Sequence, residues 1–103
     1  MRTEPSVTFD RAELEGFCRR NGIRRLSVFG SAIQDAFDET SDVDLLVEFD
    51  PDRIPGLLRI AGMELELSRV FDGREIELRT YEDLSRHFRD EVRAAAVPVY
   101  VAA

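Results

Sequence analysis

Apolar residues recur at helical spacing near the start of the chain, which predicts a first helix over residues 10–21. Asp10 precedes the apolar positions as an N-cap, with Glu13 three residues later in the arrangement of a capping box. Gly22 closes the helix, because glycine readily adopts the left-handed conformation found at helix ends. The buried side of this helix is predicted to consist of Leu14, Phe17 and Cys18.

Two runs rich in apolar residues predict buried strands over residues 26–29 and 43–49. Gly30 ends the first run and opens a short helical stretch towards Phe37, and the polar residues 38–41 are typical of a turn. The second run contains β-branched and aromatic residues and is the clearest strand signal in the chain.

The second half of the chain predicts a long helix, a strand and a further helical segment. Apolar residues after position 55 mark one side of a helix that ends at residues 72–73, and residues 75–78 alternate as a half-buried strand does. Residues 81–96 are helical in composition, as one helix or two pieces, and residues 97–103 form an apolar tail. This order predicts a small α/β (α+β) fold with helices packed on a mixed sheet of three or four strands.

Composition limits the class of protein. The 103 residues suit one domain over residues 1–103, and 44% hydrophobic with 34% charged residues is a globular balance. No apolar run approaches the roughly 20 residues of a membrane helix, and residues 1–10 lack the apolar core of a secretory signal. Cys18 is the only cysteine, which excludes an intrachain disulfide and makes the reducing cytoplasm the expected compartment.

The formal net charge of −7 argues against tight nucleic-acid binding, since such proteins present basic surfaces to the phosphates. Several acidic residues lie between Asp35 and Asp52. A cluster of carboxylates favours bound cations or a basic protein partner. From charge alone, an acidic surface that serves only solubility is an equally good interpretation.

Three polar features fall at the ends of the predicted strands. Gly30-Ser31 stands at a strand-to-helix junction, where free N–H groups suit phosphate, although an ordinary turn with a serine N-cap has the same pattern. Asp42 and Asp44 are two apart on a strand, so both carboxylates face one spot and suit Mg²⁺; the alternative is a solvated strand end. Glu77 joins that acidic face if its strand lies beside theirs, and is otherwise an ordinary exposed residue.

The combination of these features is more specific than its parts. Ten residues, 32–41, separate Gly30-Ser31 from Asp42-Val43-Asp44, and this spacing resembles the signature of the DNA polymerase β-like nucleotidyltransferases. The chain resembles the minimal nucleotidyltransferases in particular, which are often encoded beside a HEPN-domain protein as toxin–antitoxin pairs. Further segments that carry the resemblance are LSVFGSA at 26–32, SDVDLLVEF at 41–49 and AVPVY at 96–100.

The resemblance covers about residues 9–102 and implies the polymerase β-like fold and a role for each motif residue. Gly30 and Ser31 would hold the nucleoside triphosphate, and Asp42 and Asp44 would ligate two Mg²⁺ ions. Glu77 matches the third carboxylate, which ligates the catalytic metal and helps to deprotonate the attacking hydroxyl. The family implies transfer of AMP from ATP to a tyrosine of the partner HEPN toxin, which neutralises it. The small size of the chain predicts a hetero-oligomer with a partner chain, and its charge and hydropathy predict contact with neither nucleic acid nor membrane.

Two departures from the family pattern bear on activity. The family commonly has aspartate where this chain has Glu77, and a carboxylate misplaced by 1 Å can cost roughly 10²-fold in rate. The family often has arginine where this chain has Gln34, which removes a fixed positive charge near phosphate. Neither departure removes the pair Asp42 and Asp44.

These departures leave a second hypothesis, in which the chain is a catalytically weak or inactive binding module that neutralises its partner by complex formation. A third hypothesis, transfer to a small molecule such as an aminoglycoside, is disfavoured because those relatives carry an additional domain for the acceptor.

His87, the only histidine, is predicted to lie on a helix surface rather than in catalysis, and Cys18 is predicted to belong to the core.

Overall fold

The computed structural model describes residues 7–30 and 41–102, which form a four-stranded mixed sheet with three α-helices. The predicted fold class is confirmed. Apart from Gly30, the predicted short helix over residues 30–37 lies outside the described residues. In chain order the elements are α1 (Arg11–Arg20), β1 (Ile23–Phe29), β2 (Val43–Phe49), α2 (Leu57–Val70), β3 (Ile76–Arg79), α3 (Arg89–Ala95) and β4 (Val97–Val101).

The sheet has the strand order β3-β2-β1-β4. β1 pairs antiparallel with both β2 and β4, whereas β2 and β3 are parallel. A parallel pair needs a crossover connection, and α2 provides it. Because β2 and β3 run in the same direction, both begin at the same end of the sheet, where Val43 is level with Ile76. The residues at the starts of these two strands are thereby neighbours.

One face of the sheet packs against α1 and α2 and carries the main core. Val43, Leu45 and Val47 of β2 belong to this core and are at most 2% exposed, whereas Asp44 and Glu48 alternate with them on the other face. Burial of one such side chain contributes about 1.5–3 kcal/mol. Because these three buried residues alternate along β2, they determine which face of the strand points to the core, and hence the face on which Asp44 lies.

The ends of α1 follow from its flanking residues. The Asp10 side chain accepts a hydrogen bond of 3.0 Å from the Glu13 N–H, which satisfies a free donor of the first turn. Gly22, with φ of +66°, adopts the left-handed conformation just beyond the helix end. The predicted helix and its buried side are therefore confirmed. The fully buried residues of α1 are Leu14, Phe17 and Cys18.

Of the two alternatives for residues 81–96, the structure has the two pieces, of which the first is only a short 3-10 turn. Thr80 and Asp83 form a reciprocal capping box that closes a single 3-10 turn over Tyr81–Asp83. Leu84 then adopts an extended conformation, with ψ of 149°, which interrupts the helix until α3 begins.

The apolar tail predicted over residues 97–103 is instead largely the edge strand β4. Its residues pair antiparallel with β1, for example Leu26 with Tyr100. Pro98 lies within this strand, as is tolerated at a sheet edge, where the missing N–H need not face a neighbour. Among the described residues no helix is both long and apolar enough to cross a membrane.

Candidate active site

The parallel pairing of β2 and β3 brings together two of the predicted site carboxylates. Asp44 and Glu77 are register partners, and their carboxyl groups lie within hydrogen-bonding reach of each other. Both side chains are half-buried on the sheet face opposite the main core. The two residues are 33 positions apart in sequence, so only the tertiary pairing places them side by side.

Partial burial of the Asp44 carboxyl and the groups around it raise its pKa to about 6. Partial burial is the largest cause, followed by the neighbouring Glu77 carboxyl and then by the charge of Asp42, while Arg79 acts in the opposite direction. The ionised form of Asp44 is therefore disfavoured in the protein alone. A cation bound between the carboxylates would remove this penalty.

Gly30 follows β1 directly and passes close to Asp44. Its φ of +71° lies in the left-handed region, and a Cβ atom at this position would stand 2.5 Å from Asp44 Oδ2. A side chain at position 30 would therefore both strain the backbone and displace the carboxylate. Glycine is required here by the close approach of β1 and Asp44, which keeps the space beside Oδ2 open. The next residue, Ser31, lies outside the described residues.

Asp42 stands just before β2 and is exposed at the rim of the site. Two hydrogen bonds hold the start of β2 against the segment that enters β3. Arg74 Nη1 donates to the Ser41 carbonyl at 3.0 Å, and the Val43 N–H donates to the Glu75 carbonyl at 2.8 Å. The backbone on both sides of Asp42 is thus anchored.

Arg79 is part of the site, although the sequence motif does not include it. It lies two residues after Glu77 on the same face of β3, and its Nη2 atom is 3.9 Å from Glu77 Oε2. Its side chain is 49% exposed, so its charge is available to solvent and to a ligand. The alternation of β3 is the sequence signal that places Arg79 beside Glu77.

The donor set fits a hard divalent cation. Mg²⁺ prefers carboxylate oxygens together with water and phosphate oxygens, and Asp44 and Glu77 present adjacent carboxylates beside the open space at Gly30. Within residues 7–30 and 41–102 no three potential ligands converge closely enough to form a complete metal site. Asp44 and Glu77 would supply the first ligands of such a site, and Asp42 would have to turn inward from the rim to complete it.

Cys18 and His87, which the sequence analysis does not assign to the site, lack the properties of active-site residues. Cys18 is fully buried, and burial raises the pKa of its thiol to about 12, so it is a core residue as predicted. His87 is exposed, as predicted, but lies in the turn before α3 rather than on a helix, where its ring meets that of Phe88 edge-on.

Comparison with known proteins places the fold and the motifs in one family. The family model described as "Nucleotidyltransferase domain" matches residues 12–99. The Methanocaldococcus jannaschii protein MJ0435, named provisionally as a protein adenylyltransferase, is 35% identical over 80 residues, which cover 78% of this chain and 83% of that protein. Protein adenylyltransferase MntA of Thermococcus cleftensis is 39% identical over 75 residues, which cover 73% and 70%.

Solved structures agree with this assignment. One, provisionally described as a minimal nucleotidyltransferase, superposes with a TM-score of 0.67 at 34% identity, over 84% of this chain and 85% of that one. A crystal structure described as a toxin–antitoxin with AMP-PNP superposes with a TM-score of 0.71 over 90% and 74%, and at 16% identity it supports the fold alone. The chain belongs to the nucleotidyltransferase domain family and is an enzyme of the minimal nucleotidyltransferase type, as its sequence predicts.

Proposed function

We propose that this chain is a Mg²⁺-dependent antitoxin that transfers AMP from ATP to a tyrosine hydroxyl of a partner HEPN-domain toxin and thereby neutralises it. The observation that carries the proposal is the pair of adjacent carboxylates, Asp44 and Glu77, beside a glycine that leaves space at Asp44 Oδ2. This arrangement suits a metal-bound triphosphate on one side of the pair and a hydroxyl group on the other.

In the proposed reaction the tyrosine oxygen forms a bond to the α-phosphorus of ATP, the bond from that phosphorus to the bridging oxygen breaks, and pyrophosphate leaves. Glu77 accepts the hydroxyl proton, which passes to solvent. Gly30 and Ser31 hold the triphosphate. Two Mg²⁺ ions held by Asp42, Asp44 and Glu77 would supply neutralisation of the charge on the phosphates when bound.

Features of the chain and of its relatives support a protein acceptor. Relatives that are 35% and 39% identical are named as protein adenylyltransferases, and a chain of the same fold was solved within a toxin–antitoxin. A net charge of −7 favours association with a basic protein partner. We therefore expect a hetero-oligomer, and we expect it in the reducing cytoplasm.

The proposal can be tested by intact mass. The chain is co-expressed with the product of its neighbouring gene, and both masses are measured after addition of Mg²⁺ and ATP. We expect the partner to gain one or more AMP units. Asp44→Asn should reduce the rate by about 10³-fold, since a metal contributes several kcal/mol to catalysis. Glu13→Gln, an exposed carboxylate on α1, which packs on the other face of the sheet, is the control that should keep the activity.

A second candidate function is neutralisation by binding alone, which the longer side chain of Glu77 favours. Glu77→Asp separates the two, because it restores the carboxylate common in the family without a change of charge. Tight association with no mass gain for the natural chain, followed by a mass gain for Glu77→Asp, would show that the site is intact except for this methylene. No gain for either would leave the binding function.

A further inference from the structure

A cavity of about 390 Å³ opens beside the candidate active site. It begins at Leu46, which lies two residues along β2 from Asp44 and therefore on the same face of the sheet. β3 ends level with this residue, at Arg79, so the cavity occupies the space beyond the end of β3. Its walls include Leu46, Phe49, Ile54, Thr80, Tyr81 and Arg93.

One wall of the cavity is held in place by contacts of the Tyr81 side chain. The Tyr81 hydroxyl donates a hydrogen bond to Asp90 of α3. The guanidinium groups of Arg93 and Arg89 stack over its ring, 4.3 Å and 5.0 Å from the centroid. The wall is therefore formed before any ligand arrives, as is usual for binding cavities.

The lining also includes an apolar, solvent-exposed side chain, Ile54, together with the charged residues Glu48, Glu82 and Arg93. Ile54 follows the 3-10 turn Pro51–Arg53 and is 71% exposed at the cavity. A large apolar side chain that remains exposed beside a cavity favours an apolar occupant, since water there would be displaced at little cost. With Leu46 at its base, the cavity is suited to an aliphatic or aromatic side chain.

The cavity and Gly30 lie on opposite sides of Asp44. Phe29 is level with Asp44, so Gly30 continues beyond it in one direction along the strands, while Leu46 lies in the other. In nucleotidyl transfer the leaving pyrophosphate and the attacking hydroxyl stand on opposite sides of the phosphorus. If the triphosphate is held at Gly30, the acceptor approaches from the side of the cavity.

We propose, on the basis of the proposed function, that this cavity docks an apolar side chain of the acceptor polypeptide two residues away from its reacting hydroxyl. The spacing follows from extended geometry. Asp44 and Leu46 are about 6.6 Å apart along β2, and side chains two apart in an extended peptide have the same separation. An extended acceptor segment can therefore place its hydroxyl at Asp44 and Glu77 and its next side chain on that face against Ile54.

The test compares Ile54 with an equally exposed leucine on α2. Ile54→Ala and Ile54→Asp are prepared beside Leu65→Ala and Leu65→Asp, because Leu65 is 74% exposed and does not line this cavity. Two dissociation constants are measured for each variant: that of the HEPN-domain protein in EDTA without nucleotide, and that of Mg²⁺·AMP-PNP. The KM for the partner in AMP transfer is the third readout.

We expect Ile54→Asp to weaken partner binding by about tenfold or more and to raise the partner KM similarly, with a few-fold effect for Ile54→Ala. The Leu65 variants should stay within about twofold, and AMP-PNP binding should be unchanged throughout. Weaker AMP-PNP binding by the Ile54 variants, with unchanged partner binding, would assign the cavity to the nucleotide base. Equal losses for Leu65 and Ile54 would move the docking surface to α2. Either result overturns the proposal.

The outcomes separate this inference from the proposed function. If the natural chain binds the partner, loses it on Ile54→Asp and transfers no AMP, the docking site stands and the transferase function fails. If the natural chain and Ile54→Asp transfer AMP with the same partner KM, the function stands and the docking site fails. Absence of any partner binding by the natural chain contradicts both.

Discussion

The two faces of β2 differ in what they contribute, although their residues alternate along one strand. Val43, Leu45 and Val47 fill the core beneath α1 and α2, where each side chain has apolar neighbours. Asp44, between the first two, faces Glu77 and carries a raised pKa because both carboxyls are partly withdrawn from water. The core face stabilises the folded state. The other face holds carboxylates that repel each other, and a bound cation would turn this repulsion into attraction.

The largest change in stability is expected when a residue on the core face of β2 is truncated. Leu45→Ala should lower the free energy of unfolding by about 2–5 kcal/mol, since Leu45 is fully buried and the deletion leaves a cavity. Denaturant titration measures the change. Leu65→Ala, on the exposed side of α2, is the control with the same chemical change. A loss below that of the control would show that the core face is not tightly packed around β2.

The second prediction tests the close approach of Gly30 to Asp44. Gly30→Ala should reduce AMP transfer by about 10²-fold, because the new Cβ would displace the Asp44 carboxylate. Gly73→Ala is the matched control. Gly73 also has a positive φ, of +82°, but nothing lies within 4 Å of a Cβ at that position. Both variants should lose about 1–2 kcal/mol to backbone strain, so an equal loss of activity would refute a role for the contact.

The third prediction is that removal of the Asp44 charge stabilises the protein, because Asp44 lies on the face of β2 that carries the candidate site. The pKa of Asp44 is raised to about 6, so the folded state binds a proton more tightly than the unfolded state, in which Asp44 has its ordinary value near 4. This contribution to stability is present at low pH and is lost as the pH rises through about 6. At pH 8 without Mg²⁺, Asp44→Asn should therefore be more stable by about 1 kcal/mol, after allowance for solvent screening.

Denaturant titrations at pH 8 and pH 4 check this sign. The difference between Asp44→Asn and the natural chain should shrink towards zero at pH 4, where the carboxyl is largely protonated in the folded state. Addition of Mg²⁺ at pH 8 should stabilise the natural chain and not the variant. A variant that is less stable than the natural chain at pH 8 would show that Asp44 stabilises the apoprotein rather than straining it.

The smallest effect is expected at a surface ion pair that belongs to neither face of β2. Arg20 Nη2 lies 2.8 Å from Glu66 Oε2 between α1 and α2, with side chains 64% and 43% exposed. Arg20→Ala should change the free energy of unfolding by about 1 kcal/mol or less, because exposed pairs are screened by water and salt. A loss comparable to that of Leu45→Ala would mean that helix contacts, rather than the core face, control stability.

The sequence located most elements because their signals are local. Asp10 and the apolar stripe of α1 define that helix, and the composition of residues 43–49 defines β2 at its observed bounds. The sequence left open whether residues 81–96 form one helix or two pieces, and it did not predict β4. The 3-10 turn Tyr81–Asp83 ends at Leu84, which is extended, and α3 begins only at Arg89. β4 becomes a strand only because β1 offers an unpaired edge, which composition cannot reveal.

For the site, the sequence by itself predicted which residues carry the chemistry. Gly30, Asp42 and Asp44 follow from a short motif, and alternation with buried Val43 and Leu45 fixes the face of β2 on which Asp44 lies. The roles given to Ser31 and to the individual metal ligands, like the single domain over residues 1–103, remain predictions.

Only the tertiary structure decided that Glu77 lies beside Asp44 and that a cavity begins at Leu46. These relations depend on the register of two parallel strands joined through α2, and register is set by burial of both strands against the same core. Local periodicity identifies a strand and its two faces. It carries no information about which strand lies alongside, because that choice is made by packing between residues distant in the chain.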